Sequence, residues 1–193
     1  MTDAHLIVQK TEAHAAPAVW RGTARQLQQL VDAAAGGRAA GMNALAGSCY
    51  GSADWLLVRV AVHESGHAVV AELHGIAAEI KIEGGARLGN GHCVLDPAVR
   101  TASRHARRMI GLSGQVAAQI AEFGHAATAA WAHRNLTWPE TASPSDLEMA
   151  GGFSASDTAA CCELVRRRWP AIAARARNVL DAALRANGQR GLQ

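Results

Sequence analysis

The sequence is poor in aromatic side chains and almost devoid of lysine. Only eight of its 193 residues are Trp, Tyr or Phe, and Lys10 and Lys81 are its two lysines, against 17 arginines. The net charge of +3 is too small to indicate a nucleic-acid partner, and no aromatic residues alternate with the basic ones. Alanine is abundant instead, with 43 residues, which favours helices that pack closely through small side chains.

Long apolar runs and paired cysteine motifs are also missing. The longest stretch without Asp, Glu, Lys or Arg, residues 39–53, is interrupted by Gly, Asn and Ser, whereas a membrane-spanning helix needs about 20 apolar residues. The N-terminus has neither a basic start nor a continuous apolar core, so no signal peptide is predicted. The four cysteines form no C-x-x-C pattern, which is typical of reduced thiols in a cytosolic protein. We therefore expect a soluble, cytoplasmic protein without a membrane span.

Helix and strand signals divide the chain into two regions. Residues 1–50 are expected to form an N-terminal arm, with a helix over 23–35 followed by a Gly/Ala-rich linker. Residues 51–190 are expected to form one domain that is mainly α with a small β-sheet. Its predicted elements are a helix over 55–74 closed by Gly75, strands over 79–83 and 91–95, a helix over 101–123 with small residues such as Gly114 for close helix packing, a helix start at 146–148, and two final helices broken at Pro170.

The stretch VAVHESGHAVVAEL carries the pattern His-Glu-x-x-His at His63, Glu64 and His67. Residues four apart on a helix lie on one face about 6 Å from each other, so both histidines can direct neutral imidazoles at one metal, which suits zinc. Glu64 is rotated about 100° away, beside the metal, where it can accept a proton from a water activated by the ion. The alternative interpretation is an ordinary buried helix with two incidental histidines.

Two histidines leave such a site incomplete, because a third protein ligand is required. His74 lies on nearly the same face as His67 but about 10 Å further along the helix axis, and Glu72 points off that face. The other Asp, Glu and His candidates are Glu79, His92, His105, Glu122, His125, Asp146 and Glu148. Helical periodicity does not choose among them.

Four segments, in order along residues 55–155, resemble the peptidase domain of the FtsH family of zinc proteases. The segments AVHESGHAVVA, IKIEGGARLGNGHCVLDP, LSGQVAAQIAEFG and TASPSDLEMA resemble its metal helix, its strand, glycine turn and edge strand, its small-residue helix, and its segment ending Ser-Asn-Asp-Leu-x-x-Ala. The resemblance implies a zincin-like FtsH peptidase fold, with Zn2+ held by His63, His67 and Asp146 and with Glu64 as catalytic base. It also implies a peptide or unfolded protein substrate held in extended form against the edge strand near residues 91–95.

Two departures from the family pattern affect what is expected. The family's paired acidic residues fall at Ala118 and Gln119, so a carboxylate that would orient a ligand histidine is missing, and Glu122 one turn later is a candidate substitute. In addition, neither Lys10 nor Lys81 follows a glycine as a P-loop requires, so the family's ATPase is not expected in this chain. The membrane spans of family members are missing as well.

The sequence therefore predicts a soluble, stand-alone zinc endopeptidase that hydrolyses peptides or unstructured protein segments. One alternative is a non-catalytic regulatory or binding module that retains the peptidase fold. A second alternative is a protease subunit fed by a separate ATPase. Self-association is compatible with all three. The missing acidic residues favour the binding module and the intact Glu64 counts against it, whereas the sequence does not separate the ATPase-fed subunit from the stand-alone enzyme.

Overall fold

The computed structural model describes residues 53–82, 91–123, 127–138 and 142–186. These residues form five α-helices and a two-stranded antiparallel sheet, so the predicted mainly α fold with a small β-sheet is confirmed. The elements in chain order are α1 (Ala53–Leu73), β1 (Ala78–Ile82), β2 (Gly91–Leu95), a 3-10 helix (Pro97–Arg100), α2 (Arg104–Phe123), α3 (Ala129–Leu136), α4 (Pro144–Ala150) and α5 (Ala155–Ala186). The arm predicted over residues 1–50 lies outside the described residues.

Helix α1 lies at the centre of this fold. Its side chains from residue 57 to residue 71 are buried, apart from the half-buried Arg59, because the helix packs against α2, α5 and both strands. The helix ends at Leu73 and is closed by a turn at Gly75, after which the N–H of Ile76 donates to the carbonyl of Ala71 over 3.1 Å. Gly75 has a φ of +74°, which glycine adopts without strain, so the predicted stop is confirmed.

The two strands pair antiparallel over their full lengths, so the predicted strands are confirmed to within one residue. In β2, Gly91, Cys93 and Leu95 are buried, whereas His92 and Val94 between them are half-buried. This alternation places the two sets on opposite faces of the sheet. Within the described ranges β1 is the only strand next to β2, which leaves the other edge of β2 without a strand partner.

Helix α2 begins later than predicted, at Arg104 instead of residue 101. The hydroxyl of Ser103 accepts a hydrogen bond from the N–H of Ala106 over 3.1 Å, which is the contact of an N-terminal cap. The chain before it turns in the 3-10 helix at Pro97–Arg100. The boundary is therefore set by the Ser103 cap, a signal present in the sequence but not used in the prediction.

Helices α1 and α2 meet through small residues. A Cβ atom on Gly66 would lie 2.6 Å from the carbonyl oxygen of Ser113 and 2.9 Å from Cβ of Ala117, which no real side chain tolerates. The two helix backbones can therefore approach only because residue 66 is glycine. The Ser113 hydroxyl, buried at this contact, donates to the carbonyl of Ile110 over 2.7 Å. The close approach predicted from the small residues of α2 is confirmed.

The predicted helix break at Pro170 is wrong. Helix α5 runs without interruption from Ala155 to Ala186, with Pro170 in its interior. A proline at such a position removes one backbone hydrogen bond and favours a break. Here buried side chains on both sides of the proline, Trp169, Ile172 and Ala173, hold the helix against the core, while Pro170 itself is exposed. Tertiary packing thus outweighs the local cost of the proline.

Disulfides and membrane-spanning helices are both absent from the described residues. Cys93, Cys161 and Cys162 are buried free thiols, which confirms the prediction of reduced cysteines for these three, while Cys49 lies outside the described ranges. Among the helices that the structure describes, none combines the length and the apolar character needed to cross a bilayer.

Candidate metal centre

Three side chains from two helices converge in the interior of the fold. His63 and His67 lie one turn apart on α1, and Asp146 lies in the first turn of α4. The Nε2 atoms of the two histidines are 3.0 Å apart, and Oδ2 of Asp146 lies 3.1 Å from Nε2 of His63 and 3.3 Å from Nε2 of His67. Among the described residues, these three form the one group of at least three His, Cys, Asp or Glu side chains whose donor atoms come together in this way, and they could hold a metal ion. We call them the metal triad.

The triangle of donor atoms has the dimensions of a metal site. Ligand atoms that lie 2.0–2.1 Å from a tetrahedral zinc ion are separated from each other by about 3.3–3.4 Å, and the measured sides of 3.0, 3.1 and 3.3 Å are close to this. All three side chains are at most 2% exposed. Neither carboxylate oxygen of Asp146 accepts a well-formed hydrogen bond from the described residues. Because a buried, unsatisfied carboxylate is costly, the donor set fits a cation that would satisfy all three groups.

The backbone of α2 fixes the orientation of His67. Its Nδ1 atom lies 2.6 Å from the carbonyl oxygen of Ile110. A carbonyl can only accept a hydrogen bond, so Nδ1 carries the proton and donates it. In the neutral ring, Nε2 is then left with a lone pair directed at the centre of the triad, which is the tautomer that binds a metal.

His63 has no comparable support. Its Nδ1 atom is buried and has no hydrogen-bond partner among the described residues. Glu122, the candidate substitute for the missing acidic residues, lies instead with its Oε2 atom 3.7 Å from Nε of Arg59, and so does not supply the missing partner. The side chain of Ala118 is buried and offers no acceptor, and both amide atoms of Gln119 lack partners within the described ranges. Loss of such a partner typically lowers metal affinity by about 10–100-fold.

Two glycines of α2 leave the space that the triad occupies. A Cβ atom on Gly114 would overlap Nε2 of His67, the nitrogen that faces the centre of the triad. A Cβ atom on Gly111 would lie 2.5 Å from the carbonyl oxygen of Asp146 and 2.8 Å from the backbone nitrogen of Ala150, so it would push α4 away. Sequence reasoning assigned Gly114 only to helix packing. Its contact with a ligand atom was missed, because helical spacing does not show which atom of a neighbour faces a residue.

Glu64 lies beside the triad and is not part of it. Its side chain is 2% exposed, and its Oε2 atom has no hydrogen-bond partner among the described residues. Burial raises the pKa of Glu64 above the ordinary value, although the neighbouring His63 and His67 act to lower that pKa. A raised pKa makes a carboxylate a stronger base, so this side chain is suited to accept a proton.

The charges of His67 and Asp146 strongly shift each other's pKa values. Burial alone would lower the pKa of His67, but the adjacent Asp146 carboxylate raises it to about 9. Burial alone would likewise raise the pKa of Asp146, but the charge of His67 and its contacts with both histidines hold that pKa well below the ordinary value. At neutral pH, the metal-free protein therefore carries a proton on His67 beside an ionised Asp146.

Metal affinity is expected to rise with pH because a bound cation must displace the proton of His67. With a pKa of about 9 for this group, the apparent affinity should increase by about tenfold per pH unit below pH 9 and level off above it. Folding raises the pKa of His67 from 6.5 to about 9 in the metal-free protein. Protonation of His67 therefore stabilises the metal-free fold in full below about pH 6.5, and this contribution is lost as the pH rises through about 9. Competition with a chromophoric chelator at several pH values measures the affinity, and a flat profile would contradict the coupling.

The other candidate ligands of the sequence lie elsewhere. His74 and His105 are both exposed and stack edge to face, with ring centroids 6.3 Å apart. Glu79 on β1 and Glu148 on α4 are exposed. His92 lies on β2 outside the triad, and His125 falls outside the described residues.

Replacing Asp146 by alanine is expected to lower metal affinity by at least about 100-fold, because two histidines alone make an incomplete site. Glu148→Ala is the matched control, since it removes an exposed carboxylate from the same helix. Isothermal titration of the metal-free variants with zinc measures both affinities. Equal affinities for the two variants would show that Asp146 is not a ligand.

No family model, curated protein or solved structure matches this chain. The resemblance to the FtsH peptidases therefore stays a prediction that rests on the sequence motifs.

Proposed function

We propose that this chain is a zinc-dependent endopeptidase with a zincin-like FtsH peptidase fold, which hydrolyses peptides or unstructured protein segments in the cytoplasm. The observation that carries the proposal is the buried metal triad of His63, His67 and Asp146, with the carboxylate of Glu64 on the same helix beside it. Two imidazoles and one carboxylate are a ligand set typical of catalytic zinc, which keeps a further position for water or substrate.

The order of the elements also supports the proposal. A helix with both histidines precedes a short hairpin, a helix rich in small residues follows, and the carboxylate comes from the start of a further short helix. The FtsH resemblance implies the same order for its metal helix, strands, small-residue helix and aspartate segment. Sequence motifs and spatial arrangement therefore favour the same class of protein.

The chain's own residues account for the proton transfers of peptide hydrolysis. When bound, zinc would polarise the scissile carbonyl and lower the pKa of water. Glu64 accepts a proton from the attacking water as the water oxygen bonds to the carbonyl carbon, and returns it to the amine nitrogen as the C–N bond breaks. The carbonyl of Ile110 fixes the ring of His67, and α4 carries Asp146. Both ligand atoms are therefore held in place.

The substrate is expected to bind in extended form along β2. The edge of β2 away from β1 has no strand partner among the described residues, and such an edge pairs with the backbone of any peptide. The buried end of β2 at Gly91 lies against Glu64, since a Cβ atom there would be 3.3 Å from Cγ of Glu64. A peptide paired with this edge would therefore pass close to the base, with weak sequence preference.

Metal analysis combined with casein cleavage tests the proposal directly. The purified chain should contain about one zinc per molecule and should cleave casein, an unstructured substrate. Removal of the metal with a chelator should abolish cleavage, and zinc should restore it. A protein that binds no metal, or that is loaded with zinc and leaves casein intact, would overturn the proposed activity.

Hydrolysis of unstructured peptides is expected to need no nucleotide, because the sequence has no phosphate-binding loop. Cleavage of a quenched fluorescent peptide should proceed at equal rates with and without ATP and magnesium. A strict ATP requirement of the purified chain would show that its organisation has been misinterpreted.

A non-catalytic binding module is the second candidate. The Nδ1 atom of His63, which has no hydrogen-bond partner in the part of the chain that the structure describes, favours it. A metal ligand without a hydrogen-bonded support is held less firmly, which reduces metal affinity or activity. Such a module would retain zinc and bind peptides without cleaving them. A protease subunit that depends on a separate ATPase would instead cleave peptides alone but folded proteins only with its partner, which a pulldown can identify.

A further inference from the structure

The first residue of β2 is a glycine that lies directly on the helix of the base. A Cβ atom on Gly91 would lie 2.5 Å from Cγ1 of Val60, 3.3 Å from Cγ of Glu64 and 3.5 Å from the carbonyl oxygen of Lys81. Val60 and Glu64 are one turn apart on α1, so both belong to the face of this helix that the start of β2 contacts. The strand therefore begins against α1 with no room for a side chain.

Space, and not backbone conformation, requires a glycine at this position. The φ of Gly91 lies outside the left-handed region that Gly75 and Gly151 occupy, so alanine would fit its backbone without strain. Ordinary contacts of a Cβ atom are 3.4–4 Å long, whereas the distance to Cγ1 of Val60 would be 2.5 Å. An alanine would therefore have to lie about 1 Å further from Val60 to reach a favourable contact distance.

The strand is the part that would move, because Val60 and α1 are held on other sides. Val60 is 4% exposed, and its β-branched side chain has little rotational freedom. Helix α1 packs against α2 and α5 as well as the sheet, whereas β2 has a strand neighbour on one edge only, within the described ranges. A methyl group at residue 91 would thus shift the start of β2 away from α1.

We infer that Gly91 is a positioning residue, whose missing side chain sets the distance between the substrate-binding edge of β2 and the carboxylate of Glu64. The inference rests on the proposed peptidase function. A peptide paired with β2 lies about 4.8 Å from the strand and moves with it, so a shift of β2 displaces the scissile bond from the base on α1. Gly91 acts through the position of the strand and takes no part in proton transfer.

Replacing Gly91 by alanine is expected to lower kcat by about 100-fold with little change in KM, because misplacement of a substrate by about 1 Å costs a factor of this size. The melting temperature should fall by about 2–10 °C, since a methyl group is forced into a packed core. Zinc affinity should be unchanged, because no atom of the metal triad is among the three nearest to the new methyl group. Initial rates per zinc-loaded molecule, measured well below the melting temperature, test the effect on kcat.

Val60→Ala provides the rescue. It removes Cγ1 of Val60, the atom nearest to the added methyl group, so β2 can return to its place on α1 in the double variant with Gly91→Ala. The kcat of the double variant should be within about threefold of that of Val60→Ala alone. Val60→Ala alone should keep the native kcat and should melt at a lower temperature, because it leaves a cavity in the core.

Cys93→Ala is the matched control on the same strand. Cys93 is the next buried residue on the face of β2 that carries Gly91, and its replacement adds no bulk. This variant should therefore leave β2 in place and kcat unchanged. A loss of kcat in Cys93→Ala as large as in Gly91→Ala would show that any disturbance of this face lowers activity, which would overturn the specific role of Gly91.

Peptide binding without turnover separates positioning from substrate binding. Glu64→Gln and the double variant Glu64→Gln with Gly91→Ala should bind the same peptide with equal affinity, because the edge of β2 moves without losing its hydrogen-bonding groups. Weaker binding by the double variant would make Gly91 a determinant of substrate affinity and would contradict the positioning role.

The kinetic results decide the inference. A kcat of Gly91→Ala within about threefold of the native value, an effect confined to KM, or a loss that Val60→Ala fails to restore would overturn it. Loss of zinc from Gly91→Ala would also overturn it, because the methyl group would then act on the metal triad. A native chain that cleaves no peptide would overturn the proposed function and this inference with it, whereas an active native chain tests Gly91 alone.

Discussion

Replacing Glu64 by glutamine is expected to abolish peptide hydrolysis while leaving the protein folded and loaded with metal. The carboxylate lies outside the metal triad, so its loss removes no ligand, and glutamine fills the same buried space. Glutamine cannot accept the proton of the attacking water, and loss of a general base costs about 10²–10⁴ in rate. Initial rates on a quenched fluorescent peptide, with zinc content and melting temperature measured on the same preparation, test this directly.

Glu72→Gln is the matched control for this experiment. Glu72 lies near the end of the same helix, is exposed, and pairs with Arg175 over 2.6 Å, a contact of a kind that contributes little to stability. Its variant should retain full activity. Cleavage by Glu64→Gln at the native rate would rule out the base role, and loss of zinc together with activity would make Glu64 a ligand instead.

Gly114→Ala is expected to lower zinc affinity by at least about 100-fold, although it adds a single methyl group. The new Cβ atom would overlap Nε2 of His67, the ligand atom itself. Changes that merely disturb the support of a ligand already cost about 10–100-fold in affinity, so displacement of the ligand should cost more. Overpacking of the core would add about 1–3 kcal/mol of destabilisation. Chelator competition and thermal unfolding measure the two effects separately.

The His67→Ala background provides the control for Gly114→Ala. Without the imidazole the three atoms nearest to the added methyl group are removed, and alanine favours a helix over glycine by about 1 kcal/mol. Gly114→Ala should therefore be neutral or stabilising in that background, which a double-mutant cycle on unfolding free energies reveals. Additive effects of the two substitutions would show that the contact between Gly114 and His67 is not the cause.

Local signals in the sequence predicted most of the helices and strands. Gly75 could be identified as the end of α1, because its left-handed conformation closes the last turn by hydrogen bonds within a few residues. The first strand followed from the alternation in EIKIE, and the end of the second from the stop signal at Asp96 and Pro97. The break at Pro170 was predicted wrongly, since the packing that keeps α5 continuous comes from residues distant in sequence.

The candidate site was predictable in part. The spacing of His63 and His67 placed both rings on one helix face, whereas the choice of Asp146 depended on a family resemblance, because no local rule brings α4 to α1. The contact between His67 and the carbonyl of Ile110 could not be predicted, since every residue has a carbonyl and only the packing of α1 on α2 selects one. The proximity of Gly114 to His67 was unpredictable for the same reason.

The origin of the triad on two helices far apart in sequence makes a bound ion a cross-link between them. Asp146 is carried by α4, which has only seven residues and cannot form a stable helix in isolation. An ion held by α1 and α4 together would close the long intervening loop. The unfolding free energy would then depend on the free zinc concentration, with about 2.7 kcal/mol gained when zinc is present at 100 times its dissociation constant. The folded fraction of the protein would therefore fall when zinc is scarce. Because proteases degrade the unfolded state, zinc starvation would shorten the lifetime of the protein.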